Sequence, residues 1–229
     1  MMDAIILAGG FGTRLQSVVS DVPKPMAPIN GRPFLEILLK SLEKKGIKRV
    51  VLSVGYKAEI IMNYFGNSYG DIELVYEVED CPLGTGGAIY ASLEKCVSHH
   101  ILVMNGDTFI DINLNDLISN FKLNNDLIVV GANVRNCSRY GGLEVEENRV
   151  IKFSEKKSSG PGVINAGSYL IPKTLFDGIE VVAPFSFELF LASNINKIRP
   201  RFVLSSGYFI DIGVPEDYSK AQNLFFLSN

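Results

Sequence analysis

AIILAGGFGTRLQSVVSDVPKPMAPINGRP, residues 4–33, sets a short apolar run against a loop holding three glycines, an arginine and a Pro-Lys-Pro. Residues 4–7 have the length and apolarity of a buried strand. Gly9, Gly10 and Gly12 permit positive φ and let backbone N–H groups approach an anion closely. Pro23, Pro25 and Pro28 hold the following chain irregular to about residue 33 and fix the direction of Lys24. In open α/β sheets ligands bind beyond the carboxyl ends of strands, where this loop falls. Arg14 and Lys24 belong to no helical pattern and read as partners for something anionic. A P-loop is excluded because no GxxxxGK[ST] pattern closes. A dinucleotide fingerprint is excluded because Leu15 stands where its third glycine belongs.

Working outward, further buried strands are expected at 50–54, 72–78, 101–104 and 127–134. Helical patterns fill 34–45, 57–65, 86–96 and 114–124, the first closed by Gly46. Strands alternating with helices predict an α/β, doubly wound, mostly parallel sheet covered on both faces. After about residue 140 the rhythm becomes β-rich. A hairpin turns at Glu147-Asn148, GVINAGSYLIP is a strand, and RFVLSSGYFIDIG is a late strand pair. Short helices are expected around 174–178 and 186–193, and a closing helix from Pro215. With no linker or repeat, residues 1–229 are expected to form one domain: a nucleotide-binding half to about 135 and an acceptor-binding half from about 136.

The net charge of −3 disfavours a general nucleic-acid partner. Residues 1–50 nevertheless carry eight Lys/Arg against four Asp/Glu, leaving the remainder at −7. Lys40, Lys44, Lys45 and Lys48 account for part of this surplus as a solvated helix face. No apolar run approaches the roughly 18 residues that would cross a bilayer, so no membrane partner is expected. The N-terminus has Asp3 before its apolar run rather than a basic region, unlike a signal peptide. Cys81, Cys96 and Cys137 have no CxxC spacing and read as buried or half-buried thiols of a reducing, cytoplasmic compartment. His99 and His100 read as surface residues. The apolar stripe at 224–227 either packs on the core or forms the seam of a homo-oligomer.

LAGGFGTRL (7–15) followed by PKPM (23–26) resembles the signature of the sugar-phosphate nucleotidyltransferases. The resemblance extends through LGTGGA (83–88), NGDT (105–108), EK (155–156), NAG (165–167) and FIDIGVPEDY (209–218). It implies a Rossmann-like nucleotidyltransferase sheet and the reaction of an NTP with a sugar 1-phosphate, giving an NDP-sugar and pyrophosphate. SDVPKPMAPINGRPFLE (20–36) most resembles the branch handling D-glycero-α-D-manno-heptose 1-phosphate with GTP, which activates a heptose for surface polysaccharide. Mannose 1-phosphate as acceptor, and UTP or dTTP as donor, stay open within the family. A non-catalytic nucleotide-sensing subunit is the alternative of another class.

Such a reaction needs polyanions held together and neutralised rather than a general base. The resemblance then implies that Leu7, Ala8, Gly9, Gly10, Gly12 and Thr13 cradle the triphosphate, that Arg14 clamps the β- and γ-phosphates, and that Lys24 sits at the α-phosphate. Asp107 follows an apolar strand and Asp211 lies inside another apolar run, where a carboxylate is paired, caps a turn or holds a cation. By resemblance they hold Mg²⁺, with Asp107 counted in the catalytic set, while Asp111 reads as structural. Gly84, Gly86 and Gly87 would let a base or ribose lie against backbone, beside Thr85. Glu79 falls where the family presents a side chain to the base, and a carboxylate there suits guanine as well as uracil or thymine. Glu155, Lys156, Asn165, Gly167 and Glu188 match positions that meet the sugar phosphate. Lys156 also reads as part of a solvated Lys pair, and Glu188 as an exposed helix acid.

Overall fold

A computed structural model describes residues 2–12, 15, 18–122, 126–154 and 159–226. The first half runs β1 (Asp3–Leu7), a 3-10 turn at Lys24–Met26, β2 (Pro28–Ile29), β3 (Arg32–Pro33), α1 (Phe34–Lys44), β4 (Arg49–Val54) and α2 (Ala58–Phe65). It continues through β5 (Ser68–Tyr69), β6 (Ile72–Val78), α3 (Gly84–Leu93), β7 (His100–Asn105), β8 (Thr108–Ile110), α4 (Leu114–Lys122) and β9 (Ile128–Val134). The second half adds β10 (Gly142–Glu146), β11 (Arg149–Ser154), β12 (Gly162–Pro172), α5 (Phe187–Ser193), α6 (Ile195–Ile198), β13 (Arg201–Ser205), β14 (Phe209–Asp211) and α7 (Pro215–Phe226).

Ten strands form one sheet in the order β10-β11-β13-β9-β12-β7-β1-β4-β6-β5. β1 pairs in parallel with β4 and β7, and β4 with β6, which is the doubly wound α/β core the periodicity predicts. β12 lies between β7 and β9, antiparallel to both. It is reached from the β10–β11 hairpin, so it needs no crossover helix. That hairpin turns at Glu147 and Asn148 with both φ values positive, 48° and 59°, the twist a two-residue turn requires.

β1 buries both faces: Ala4 and Ile6 join the cluster of Phe34, Leu38 and Leu42 from α1, while Ile5 joins Ile89 and Leu93 from α3 and Phe187 from α5. Asp3 is also buried, and its carboxylate accepts Val97 N–H (2.6 Å), Ser98 N–H (3.1 Å) and the Ser98 hydroxyl (2.6 Å), which anchors the loop before β7. Cys96 and Cys137 are buried, and burial together with the nearby Asp3 charge pushes the Cys96 thiol up to about 12. Cys81 is exposed, contrary to the reading of all three as buried or half-buried. Among the described residues no helix is long and apolar enough to cross a membrane.

Two expectations change. Residues 173–178 form successive turns rather than a helix. Their bonds, such as Asp177 N–H to Thr174 O (3.0 Å), span three residues and never settle into the α pattern. The late strands do not pair with each other: β13 runs beside β9 in the main sheet, whereas β14 forms a separate ribbon with β8. That ribbon has a functional consequence, because it stands at the carboxyl end of β7.

Candidate active site

β1 ends at the glycine loop on the edge where β4 and β7 also end. A cleft of about 390 Å³ opens there, lined by Leu7, Ala8, Gly9, Gly10, Gly12, Lys24, Glu79, Gly84, Thr85 and Asp107, together with Asn105. The structure therefore gathers the expected nucleotide residues that it describes; Thr13 and Arg14 lie outside the described residues. A larger cavity, about 640 Å³, lies between Lys40, Lys44, Phe109 and Tyr208. It contains neither Lys24 nor Asp107, so the smaller cleft is the candidate site.

The three loop glycines have different reasons. A Cβ on Gly9 would sit 2.7 Å from the Glu79 carboxylate, and Gly12 combines φ +60° with a Cβ position 2.9 Å from Lys24 Cβ. Gly10 would meet nothing within 4 Å. Among the described residues nothing requires a bare Gly10. Gly10→Ala is expected to melt like the parent protein while weakening nucleotide binding about tenfold, because a methyl there keeps a phosphate off the backbone N–H groups; thermal melts and calorimetric nucleotide titration check both halves.

Lys24 opens the 3-10 turn, which Met26 N–H to Pro23 O (2.7 Å) and Ala27 N–H to Lys24 O (3.0 Å) hold in place. Its ammonium donates to the Asp107 carboxylate. Asp107 sits just beyond β7, after Gly106, whose N–H donates to Leu7 O at 2.8 Å. A Cβ on Gly106 would lie 2.6 Å from that same oxygen, so only glycine lets the chain turn this tightly against β1. The β8–β14 ribbon pairs Thr108 with Asp211, and Ile212 N–H donates to Asp107 O (3.0 Å), which brings the two acids together. Asp211 also accepts Gly213 N–H at 2.6 Å. Burial raises its carboxyl above the usual range, Asp107 adds to the rise, and Lys24 opposes it.

The Lys24 ammonium pairs with Asp107, and Asp211 lies near enough for the Asp107 charge to act on its carboxyl. That arrangement suits a divalent cation with hard-oxygen preference that takes one or two protein carboxylates and completes its shell with phosphate oxygens. Among the described residues no cluster of three or more His, Cys, Asp or Glu could hold a metal by itself. Asp111 instead pairs with Lys45 at 2.8 Å, in keeping with its structural reading.

On the base side, Glu79 lines the cleft with both oxygens engaged: Ser53 Oγ donates to Oε1 (2.9 Å) and Leu83 N–H to Oε2 (3.1 Å). It braces the 79–83 loop against β4 and the glycine loop. Gly86 and Gly87 are buried, and a Cβ on Gly86 would sit 2.1 Å from the Phe185 ring. Gly84 has φ +72° and would clash with Phe185 O at 2.5 Å. The passage of Phe185 across α3 gives Gly84 and Gly86 a packing reason of their own, and Gly84 also lines the cleft.

Of the residues expected to meet the acceptor, Glu155 and Lys156 fall outside the described residues. Asn165 and Gly167 mark a bulge in β12, where pairing with β9 shifts between Asn165 and Ser168. Gly167 has φ +66°, and a Cβ there would lie 2.2 Å from the Asn105 amide. Glu188 is no solvent-facing acid: it accepts hydroxyls from Ser186 (2.8 Å), Thr85 (3.2 Å) and Tyr169 (3.2 Å). Sequence reading missed Tyr169, which in an apolar strand looks like any core aromatic.

The chain is 48% identical to the D-glycero-α-D-manno-heptose 1-phosphate guanylyltransferase of Campylobacter jejuni over 95% of this chain and 97% of that protein. It is 43% identical to the enzyme of the same name from Aneurinibacillus thermoaerophilus, over 96% and 97%. The crystal structure of HddC from Yersinia pseudotuberculosis superposes with a TM-score of 0.89 at 38% identity, covering 98% of this chain and 100% of that one. HddC has also been solved complexed with GMP-PN, a structure that superposes with a TM-score of 0.87. Residues 3–226 match the nucleotidyl transferase family model, and the chain belongs to the nucleotidyl transferase family.

Proposed function

We propose that the protein transfers GMP from GTP to D-glycero-α-D-manno-heptose 1-phosphate, giving GDP-heptose and pyrophosphate, in the cytoplasm and with Mg²⁺. The observation that carries the chemistry is Lys24 paired with Asp107 in a glycine-loop cleft, with Asp211 brought beside Asp107 by the β8–β14 ribbon. The choice of substrates is supported by the two relatives of 48% and 43% identity and by the nucleotide analogue on HddC.

A phosphate oxygen of the acceptor attacks the α-phosphorus of GTP, and one P–O bond forms. The bond from the α-phosphorus to the α–β bridging oxygen breaks, and its electron pair leaves with pyrophosphate. The nucleophile is already anionic, so no side chain has to remove a proton. Backbone N–H groups from Gly9 to Thr13 orient the triphosphate, and Lys24 neutralises charge at the α-phosphate. Arg14 holds the departing β- and γ-phosphates. Asp107 and Asp211 would hold Mg²⁺, which supplies further positive charge to phosphate oxygens. Glu79 and Thr85 serve the nucleoside side, and Glu155, Lys156, Asn165, Gly167 and Glu188 the acceptor. The chain then works as one unit, a nucleotide half to about residue 135 and an acceptor half beyond it.

The test is pyrophosphate release with Mg²⁺, crossing four NTPs against the heptose, mannose and glucose 1-phosphates. Turnover with GTP and the heptose is expected. Release from GTP with mannose 1-phosphate alone would replace the acceptor, and no release from any pair would overturn the proposal.

A further inference from the structure

A single hydrogen-bonded chain connects the two halves of the site. Gly167 N–H donates to Asn165 Oδ1 (3.1 Å), and Asn165 Nδ2 donates to the Tyr169 hydroxyl (2.6 Å). Tyr169 donates in turn to Glu188 Oε1 (3.2 Å). The other carboxylate oxygen of Glu188 accepts from Thr85 Oγ1 (3.2 Å) in the nucleotide cleft. Thr85 Oγ1 itself accepts from Phe187 N–H at 2.8 Å, which fixes the direction of its own proton.

The polarity of this chain is forced. Glu188 as a carboxylate only accepts, so the one phenolic proton of Tyr169 is committed to it. The phenol oxygen must then accept, and the Asn165 amide has to turn its NH₂ inward and its oxygen toward Gly167. Flipping that amide would set acceptor against acceptor and donor against donor. Tyr169 is fully buried, so no water relieves either mismatch. Burial, reinforced by the Glu188 charge, keeps the phenol protonated. The ring is held independently, edge-on to Phe187 with centroids 4.9 Å apart at 87°.

We propose that Tyr169 is a positioning residue for the acceptor sugar: its hydroxyl sets the direction in which Asn165 and Glu188 present their polar groups, and ties both to Thr85. This rests on the reading of β12 and Glu188 as the acceptor side of a nucleotidyl transfer site. Tyr169 does not itself touch substrate. Its removal therefore affects recognition of the sugar and leaves the triphosphate cradle of Gly9, Gly10 and Gly12 as it is.

The test is Tyr169→Phe, which keeps the ring and its packing and deletes only the hydroxyl. Steady-state kinetics are read for each substrate separately, beside a thermal melt. The expected result is a KM for the heptose 1-phosphate raised about tenfold, a GTP KM within about twofold of wild type, and a cooperative melt. Equal changes in both constants, or no change in either, would overturn the proposal, since a purely structural role predicts one of those patterns. If Tyr169→Phe does not fold, the Asn165 side-chain amide of the wild-type protein is followed by NMR: one slowly exchanging N–H held by the Tyr169 hydroxyl is expected, and two freely exchanging N–H signals would overturn the proposal. A wild-type enzyme inactive with every sugar 1-phosphate would sink the underlying reading instead, and the positioning role with it.

Discussion

Lys24→Met is expected to lower kcat by about 10²- to 10³-fold while shifting the GTP KM only a few-fold, because its charge acts mainly on the transition state. The ammonium lies against Asp107 and is largely buried. Methionine keeps most of the length and removes the charge that would meet the α-phosphate. The same substitution removes the cation paired with Asp107, so divalent-cation affinity in the absence of nucleotide is expected to rise. Manganese titration checks this second effect, which has the opposite sign to the first. A generally damaged protein would lose both. Lys24→Arg should rescue poorly, since the ammonium lies so close to backbone that a Cβ on Gly213 would be 2.9 Å from Nζ, and a planar fork needs more room.

Asp211→Asn is expected to cost at least about 10²-fold in kcat and to raise the Mg²⁺ concentration needed for half-maximal rate by about tenfold or more, as one of two carboxylate ligands becomes neutral. The amide oxygen can still accept Gly213 N–H, so the ribbon survives. The stability effect runs the other way. Burial and the neighbouring Asp107 raise the carboxyl of Asp211 above its ordinary value. The folded state therefore takes up this proton more readily than the unfolded chain, and the associated stability is present at low pH. It is lost as pH rises from the ordinary carboxylate range through the raised folded value. At neutral pH and without metal, the ionised Asp211 is a cost that asparagine removes. Thermal melts in chelator should place the variant above wild type at pH 7 and bring the two together as pH falls. A variant that melts below wild type throughout would contradict the electrostatic account.

How far the sequence was legible depended on the distance over which each residue finds its reason. β1, its glycine loop and the Pro-fixed Lys24 are local devices, and all were readable as parts of one site, which the structure gathers in one cleft. The parallel core was readable from alternation of period. The direction of β12 was not: an apolar run buried on both faces looks the same whichever way it points, and only its route from the hairpin makes it antiparallel. The packing reason for Gly86 was hidden in a similar way, since its neighbour is the Phe185 ring from far along the chain. The Asp107–Asp211 meeting depends on β14 leaving the main sheet for β8, which adjacency in sequence does not suggest. Glu188 was seen as an acid on a short helix, but two of its hydroxyl donors, Thr85 and Tyr169, come from other elements. Tyr169 carried no signal at all, because a buried tyrosine in a strand is recognised by where its hydroxyl goes.

The central claim is that the α-phosphorus, and no other, is the centre attacked. The most direct measurement is to follow GTP labelled at the α- or the γ-phosphorus, with the heptose 1-phosphate and Mg²⁺, and to separate sugar nucleotide from pyrophosphate. The account predicts the α label in GDP-heptose and the γ label wholly in pyrophosphate. A γ label on the sugar, or an α label that stays with free guanine nucleotide, would contradict it.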